Sequence, residues 1–106
     1  MTLGRPLALF AAVCAALAAV TPARAHYPFC TCEKHGETIR CKGGFSDGTG
    51  AEGVKLDVIG YDESVLIPGK FGKDSVIEFT PPTADFYVLF DAGPGHVVEV
   101  DHNDIP

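Results

Sequence analysis

The sequence predicts an all-β fold, a small antiparallel β-sandwich of about six strands, and three observations support this prediction. Apolar and polar residues alternate with a period of two in several short segments, which is typical of strands buried on one face. Turn-forming residues interrupt these segments at regular intervals. Past residue 25, no segment shows the 3.6-residue period of an amphipathic helix. The predicted strands are residues 38–42, 54–58, 64–67, 76–80, 85–91 and 96–101.

The alternation in these segments also predicts which side chains are buried. In residues 38–42, Ile39 and Cys41 lie on one face, and polar or charged side chains lie on the other. Residues 54–58 repeat the pattern with three aliphatic side chains. Residues 85–91 are apolar on both faces, which indicates a central strand of a sheet. The main turn signals between strands are Gly43-Gly44, Tyr61-Asp62-Glu63, Pro68-Gly69, Pro81-Pro82 and Ala92-Gly93-Pro94-Gly95.

Residues 1–25 have the pattern of a secretory signal peptide. A basic residue, Arg5, precedes an apolar run over residues 7–20, which is too short to cross a bilayer comfortably as a mature helix. Ala23-Arg24-Ala25 then forms an A-x-A cleavage signal. We therefore expect a periplasmic or secreted protein whose mature chain, residues 26–106, is one β-sandwich domain without membrane insertion.

The mature chain is strongly acidic. Without Arg5 and Arg24, six Lys and Arg remain against fourteen Asp and Glu, so the formal net charge changes from −6 to −8. Such a surface repels nucleic acid and anionic membranes, and neither is an expected partner. The charge is suited to a soluble protein or to one that attracts cations.

Residues 26–41 are rich in cysteine and histidine, and we expect them to form an arm added to the sandwich, with Cys41 already on the first predicted strand. The mature chain retains Cys30, Cys32 and Cys41, because Cys14 would be removed with the signal peptide. In an oxidising compartment, a Cys30–Cys41 or Cys32–Cys41 disulfide is slightly favoured over a metal site. Closing a loop of about ten residues would stabilise this small domain by roughly 2–3 kcal/mol. One thiol would then be left over.

The same arm offers ligands for a transition metal. Three sulfurs, with His35 or His26 as a fourth ligand, suit Cu(I) or Zn(II), and we expect a tight turn to be needed to bring Cys30 and Cys32 to one ion. If cleavage follows Ala25, His26 would present its α-amino nitrogen and its imidazole Nδ1 as a chelate for Cu(II) or Ni(II). The metal-ligand candidates are His26, Cys30, Cys32, His35, Cys41 and, from the turn before the last strand, His96. The remaining histidine, His102, is expected to be solvated, and Asp47, Asp62 and Asp74 are predicted turn residues.

Residues 45–58, with an Asp47-Gly48 turn followed by an alternating strand, resemble the opening of carboxypeptidase-regulatory-like, or transthyretin-like, β-sandwich domains. Residues 71–79 are similar to the second hairpin of those domains, and residues 85–90 to a later strand. The stretch from Asp91 to His96 is similar to one in small periplasmic accessory proteins of nickel and cobalt uptake. The resemblance implies a transthyretin-like sandwich, nickel or cobalt as the metal, and a membrane metal transporter as the partner.

These observations lead to a non-enzymatic metal carrier or transport accessory as the first hypothesis. Copper follows from the ligand types, nickel or cobalt from the resemblance, and zinc is less favoured. No nucleophile elbow, phosphate loop or dinucleotide fingerprint is present. One alternative is a structural or interaction module that is pinned by one disulfide and docks on an exported or membrane partner. A weaker alternative is a redox protein that uses Cys30 and Cys32.

Overall fold

Two antiparallel β-sheets form the domain in the computed structural model, which describes residues 26–106. The predicted signal peptide, residues 1–25, lies outside the described residues. The strands are β1 (Pro28–His35), β2 (Thr38–Phe45), β3 (Lys55–Gly60), β4 (Val65–Ile67), β5 (Val76–Phe79), β6 (Phe86–Asp91) and β7 (Val97–Asp101), and a short 3-10 turn follows at His102–Asp104. Within this part of the chain, no helix is long and apolar enough to span a bilayer.

The topology confirms the predicted fold class. One sheet has the order β1-β2-β5, the other has the order β4-β3-β6-β7, and every strand pair is antiparallel. All six predicted strands are present, with ends shifted by up to three residues. Strand β6 lies between β3 and β7, as the apolar character of both its faces predicts.

The expectation that residues 26–41 are an added arm is wrong for residues 28–35, which form strand β1 of the sandwich, whereas residues 38–41 begin β2 as predicted. Strand β1 pairs with β2 along its whole length, from Pro28 opposite Phe45 to His35 opposite Thr38. The two-residue turn between them begins with Gly36, whose φ of 63° suits glycine. The sandwich therefore has seven strands instead of about six. The alternation of β1 was missed because its inward residues are cysteines, which pack as small apolar side chains.

The core between the sheets consists of the inward-facing residues of both. The largest side chains that are fully buried are Phe90, Leu56, Val58, Val88 and Cys41. Strand β2 makes room for aromatic rings at Gly43. A Cβ atom built there would lie 2.7 Å from Cε2 of Phe90 and 2.9 Å from Cζ of Phe71. The absence of a side chain at this position thus allows two rings to pack directly against the strand.

Candidate functional site

The structure divides the six predicted metal ligands into three groups. The cysteines of β1 and β2 lie together in the core, whereas His26 and His96 lie at the surface near the start of β1. His35 is at the opposite end of β1, exposed, with its Nε2 3.4 Å from Oε1 of Glu33. His35 therefore does not join either of the other groups, and neither histidine of the predicted arm adds to the cysteines as a fourth ligand.

A surface cavity of about 290 Å³ is lined by two of the predicted histidines. Its polar lining consists of His26, Asp47, Thr49 and His96, and Phe45 and Ala92 complete its wall. We call this feature the histidine cavity. His26 comes from the chain that enters β1, Asp47 and Thr49 from the turn after β2, and His96 from the turn between β6 and β7. Three separate segments of the chain, contributed by both sheets, thus converge on one open site.

The β1–β2 hairpin places His26 beside Asp47. In its register, paired residue numbers add up to 73, so one further step beyond Pro28 and Phe45 leads to Tyr27 and Ser46. The Ser46 backbone N–H donates to the Tyr27 carbonyl at 2.8 Å, and the Tyr27 N–H donates to the Ser46 hydroxyl at 2.9 Å. The next step brings Nδ1 of His26 to 3.0 Å from Oδ2 of Asp47.

Asp47 is held as an ionised, oriented carboxylate. Its Oδ1 accepts hydrogen bonds from the Thr49 backbone N–H, at 3.0 Å, and from the Thr49 hydroxyl. These bonds, with a smaller contribution from the nearby His26 imidazole, hold the pKa of Asp47 below its usual value. Oδ1 is thereby engaged, and Oδ2 is the oxygen that meets His26. The prediction that Asp47 is a turn residue is confirmed. Its contact with His26 was not predicted from the sequence.

His96 has one ring nitrogen engaged within its own turn. Its Nδ1 lies 3.2 Å from the Pro94 carbonyl oxygen. Because a carbonyl can only accept, this hydrogen bond requires the proton on Nδ1 and leaves the Nε2 lone pair available to an electrophile or metal ion. The ring packs edge-on against Phe45 with centroids 6.4 Å apart, and Phe45 in turn packs against Phe90 of the core. The core therefore supports the orientation of this imidazole.

The second group of candidates is the core sulfur cluster, which we define as Cys30, Cys32 and Cys41. Their Sγ atoms lie within 4.8 Å of one another. No tight turn is needed to bring Cys30 and Cys32 together, contrary to our expectation, because residues two apart on a strand face the same side. Cys41 is the register partner of Cys32, so all three sulfurs enter the core at one place.

Two of these sulfurs are joined in a Cys32–Cys41 disulfide, which is one of the two bonds that the sequence favoured. The other favoured bond, Cys30–Cys41, is not formed, nor is the Cys30–Cys32 bond that the redox interpretation would use. Cys30 is a free thiol, and its burial raises its pKa to about 11. The thiol is therefore protonated at neutral pH. While the disulfide is intact, Cys32 and Cys41 cannot act as thiolate ligands.

His102 is less exposed than we predicted from the sequence. Its ring centroid is 5.2 Å from that of Phe86, and its Nε2 is 3.4 Å from Oδ1 of Asp85. The expectation of a fully solvated side chain is wrong because the 3-10 turn folds the end of the chain back onto β6. The other turn predictions are correct. Asp62 and Asp74 accept backbone N–H groups from Ser64 and Val76.

Comparisons with protein-family models, with curated proteins and with solved structures find no match. The fold and the Cys32–Cys41 disulfide define the class of protein: a small antiparallel β-sandwich with a disulfide across its first hairpin. The likeness to carboxypeptidase-regulatory-like domains stays a prediction.

Proposed function

We propose that this protein is an exported, non-enzymatic metal-binding β-sandwich that carries Cu(II), or nickel or cobalt, for a membrane transporter or another exported partner. The observation that carries this proposal is that His26, Asp47 and His96 line one open cavity, in which Nδ1 of His26 lies 3.0 Å from Oδ2 of Asp47. The ligand atoms of all three do not lie within 4.8 Å of one another, so binding of one ion by all three requires side-chain rotation at this exposed site. Two imidazoles and one carboxylate are donors that these divalent ions accept. Copper is favoured by the nitrogen content of this set, and nickel or cobalt by the resemblance of the turn that carries His96.

Each of the three side chains can supply one atom to a metal ion. His96 offers Nε2, because the Pro94 carbonyl engages the other ring nitrogen. Oδ2 of Asp47 and Nδ1 of His26 engage each other at 3.0 Å, and an ion would take both as donors by displacing the proton between them. Removal of residues 1–25 would add the α-amino nitrogen of His26, so that one residue would supply two nitrogens to the ion. Each of these groups is held by this chain alone, without a ligand from a partner.

The position of the site suits a carrier better than a store. His26 and Asp47 are exposed, and the cavity opens to solvent, so an ion held there can be passed to a partner without unfolding of the domain. The net charge of the mature chain also raises the local concentration of cations near its surface. These two features support capture and transfer of a metal ion at the surface of the domain.

The proposal is tested by measuring Cu(II) and Ni(II) affinity of the exported protein in competition with a chelator of known strength. An intact mass first establishes that the chain begins at His26. We expect His96→Ala and Asp47→Asn each to weaken binding by about 10-fold or more, because each removes one donor. An alanine added before His26 should weaken binding similarly, since it moves the α-amino group away from Nδ1.

The matched control is His35→Ala, which removes an exposed histidine at the other end of β1. Its affinity should equal that of the unchanged protein. Equal losses in His35→Ala and His96→Ala would show only nonspecific surface binding. Unchanged affinity in both His96→Ala and the extended chain would overturn the proposal.

The alternative function is an interaction module, and two observations favour it. The Cys32–Cys41 disulfide pins the first hairpin as that hypothesis expects, and Tyr27 and Phe29 at the start of this hairpin are 67% and 40% exposed. Exposed aromatic side chains are common anchors of protein interfaces. A protein with one free thiol that retains no metal at micromolar Cu(II) or Ni(II) would favour this alternative over the carrier.

A further inference from the structure

The core sulfur cluster is not used by the proposed function, and it has the geometry of a second site. We propose that reduction of the Cys32–Cys41 disulfide converts the cluster into a binding site for a soft monovalent metal ion, Cu(I). The three Sγ atoms already lie within 4.8 Å of one another on adjacent strands. Sulfurs that share one ion at about 2.3 Å lie about 4 Å apart, so small side-chain rotations suffice to reach that spacing.

The redox state of the disulfide determines whether this site can bind a metal ion. Among the cysteines of residues 26–106, only Cys30 has a thiol in the oxidised protein, and one buried thiol is not a metal site. A dithiol reductant transfers two electrons and two protons. The bond between Cys32 and Cys41 breaks, each sulfur takes one proton, and the two sulfurs of the reductant join as its own disulfide. The reduced cluster then holds three thiols, and the bound ion displaces protons from them.

Both partners of the disulfide face the core, with Cys32 7% and Cys41 0% exposed. The surface cavity of about 470 Å³ that Cys32 borders lies on the other face of the sheet, among the outward-facing side chains of Thr31, Glu33, Arg40 and Lys42. A reductant therefore reaches the bond when the β1–β2 hairpin opens locally, and its thiolate then attacks one sulfur while the other leaves as the first thiolate.

The number and softness of the donors select Cu(I) over Zn(II). Zinc sites in proteins are almost always tetrahedral, and the cluster supplies three ligands in an apolar core. The nearby candidate for a fourth ligand, His35, is exposed and lies beside Glu33. Cu(I) is the softer ion and accepts a three-sulfur site without a further donor. The site does not depend on the histidine cavity, whose nitrogen and oxygen donors suit divalent ions.

The test compares Cu(I) binding to the oxidised and the reduced protein. The exported protein is reduced with a phosphine, freed of it under anaerobic conditions, and titrated with Cu(I) against a chromophoric Cu(I) chelator. We expect one equivalent of Cu(I) to bind at least about 100-fold more tightly after reduction, with new thiolate-to-copper absorption in the near ultraviolet. Cys30→Ser, which leaves the disulfide partners intact, should weaken binding to the reduced protein by about 10-fold or more.

His96→Ala is the matched control, since it alters the histidine cavity and leaves all three sulfurs in place. Its gain in Cu(I) affinity on reduction should equal that of the unchanged protein. Equal affinity in both redox states, or no effect of Cys30→Ser, would overturn the proposal. So would a reduced chain that has lost its β-sheet circular dichroism and does not regain it with Cu(I). Failure of the carrier proposal would show instead in the Cu(II) and Ni(II) affinities.

Discussion

The core sulfur cluster and the histidine cavity are built by the same β1–β2 hairpin, yet they differ in exposure and in chemistry. The cysteines project into the core and are partly bonded to one another, whereas His26 and Asp47 lie past the paired ends of the strands, at the surface. The sequence offered these cysteines and histidines together as candidate metal ligands. The strand register separates it into a group that stabilises the fold and a group that is open to ligands.

The largest expected difference between the two regions is in stability. Replacing both Cys32 and Cys41 with alanine removes the cross-strand bond and should lower the free energy of unfolding by roughly 2–3 kcal/mol. For a domain of this size that corresponds to a loss of about 10–20 °C in Tm. Thermal unfolding followed by circular dichroism measures the change.

The control for this variant is Cys30→Ala, which removes a sulfur without breaking a bond and should cost about 1 kcal/mol. Below its lower Tm, the double variant should retain the Cu(II) affinity of the unchanged protein. A folded double variant that has lost this affinity would contradict the separation of the two regions.

A smaller loss of stability is expected from crowding the core at Gly43. The Gly43→Ala methyl group would meet the rings of Phe71 and Phe90, so we expect a loss of about 1–3 kcal/mol in denaturant unfolding. Gly72→Ala is the matched control, because its added methyl group meets only Asp74, at an ordinary 3.6 Å. Similar results for the two variants would show that the rings have room to move away.

Substitutions in the histidine cavity should affect metal binding much more than stability. The side chain of the partly exposed His96 makes one hydrogen bond, to Pro94, so His96→Ala should change the free energy of unfolding of the metal-free protein by no more than about 0.5 kcal/mol. The same variant should weaken Cu(II) binding clearly. Chemical unfolding without metal measures the first quantity. A loss above about 1 kcal/mol would mean that His96 is a structural residue.

The smallest expected effect is a dependence on alkaline pH that involves neither region. The Tyr61 hydroxyl donates to Oδ1 of Asp101 at 2.6 Å, and this bond raises the pKa of Tyr61 to about 12. Because the folded value is above the ordinary value of 10.0, the contribution to stability is complete below pH 10 and is lost as the pH rises toward 12.

Tyrosinate absorbance during an alkaline titration, compared with that of Tyr61→Phe, isolates this group from Tyr87, whose pKa is also raised, by its hydrogen bond to Glu63. Asp101→Asn should bring the Tyr61 transition toward 10. A Tyr61 transition that stays near 12 in Asp101→Asn would show that the hydrogen bond to the Asp101 carboxylate is not the cause.

Much of the fold could be predicted from the sequence because alternation and turn residues report burial locally. Strand β6 is the clearest case, with Phe86, Val88 and Phe90 buried as its pattern indicates. Strand β1 was missed because Cys30 and Cys32 were interpreted as ligands before they were considered as apolar strand residues. Once that hairpin is recognised, its register alone places position 26 opposite position 47.

The position of His96 in the same cavity as His26 and Asp47 could not be predicted in the same way. It depends on how the turn between β6 and β7 in one sheet meets the end of the β1–β2 hairpin in the other. The alternation and turn residues of a single segment do not indicate how two sheets pack against each other. The sequence favoured both disulfide pairings of Cys41 equally, and the pairing was decided by the register that sets Cys32 opposite Cys41.

The most direct test of the proposed metal centre is electron paramagnetic resonance of the exported protein loaded with one equivalent of Cu(II). We predict one Cu(II) species with nitrogen hyperfine coupling from histidine, which loses one coupled nitrogen in His96→Ala and is unchanged in His35→Ala. A spectrum that is identical in the unchanged protein and in His96→Ala would contradict the assignment of the histidine cavity as the metal site.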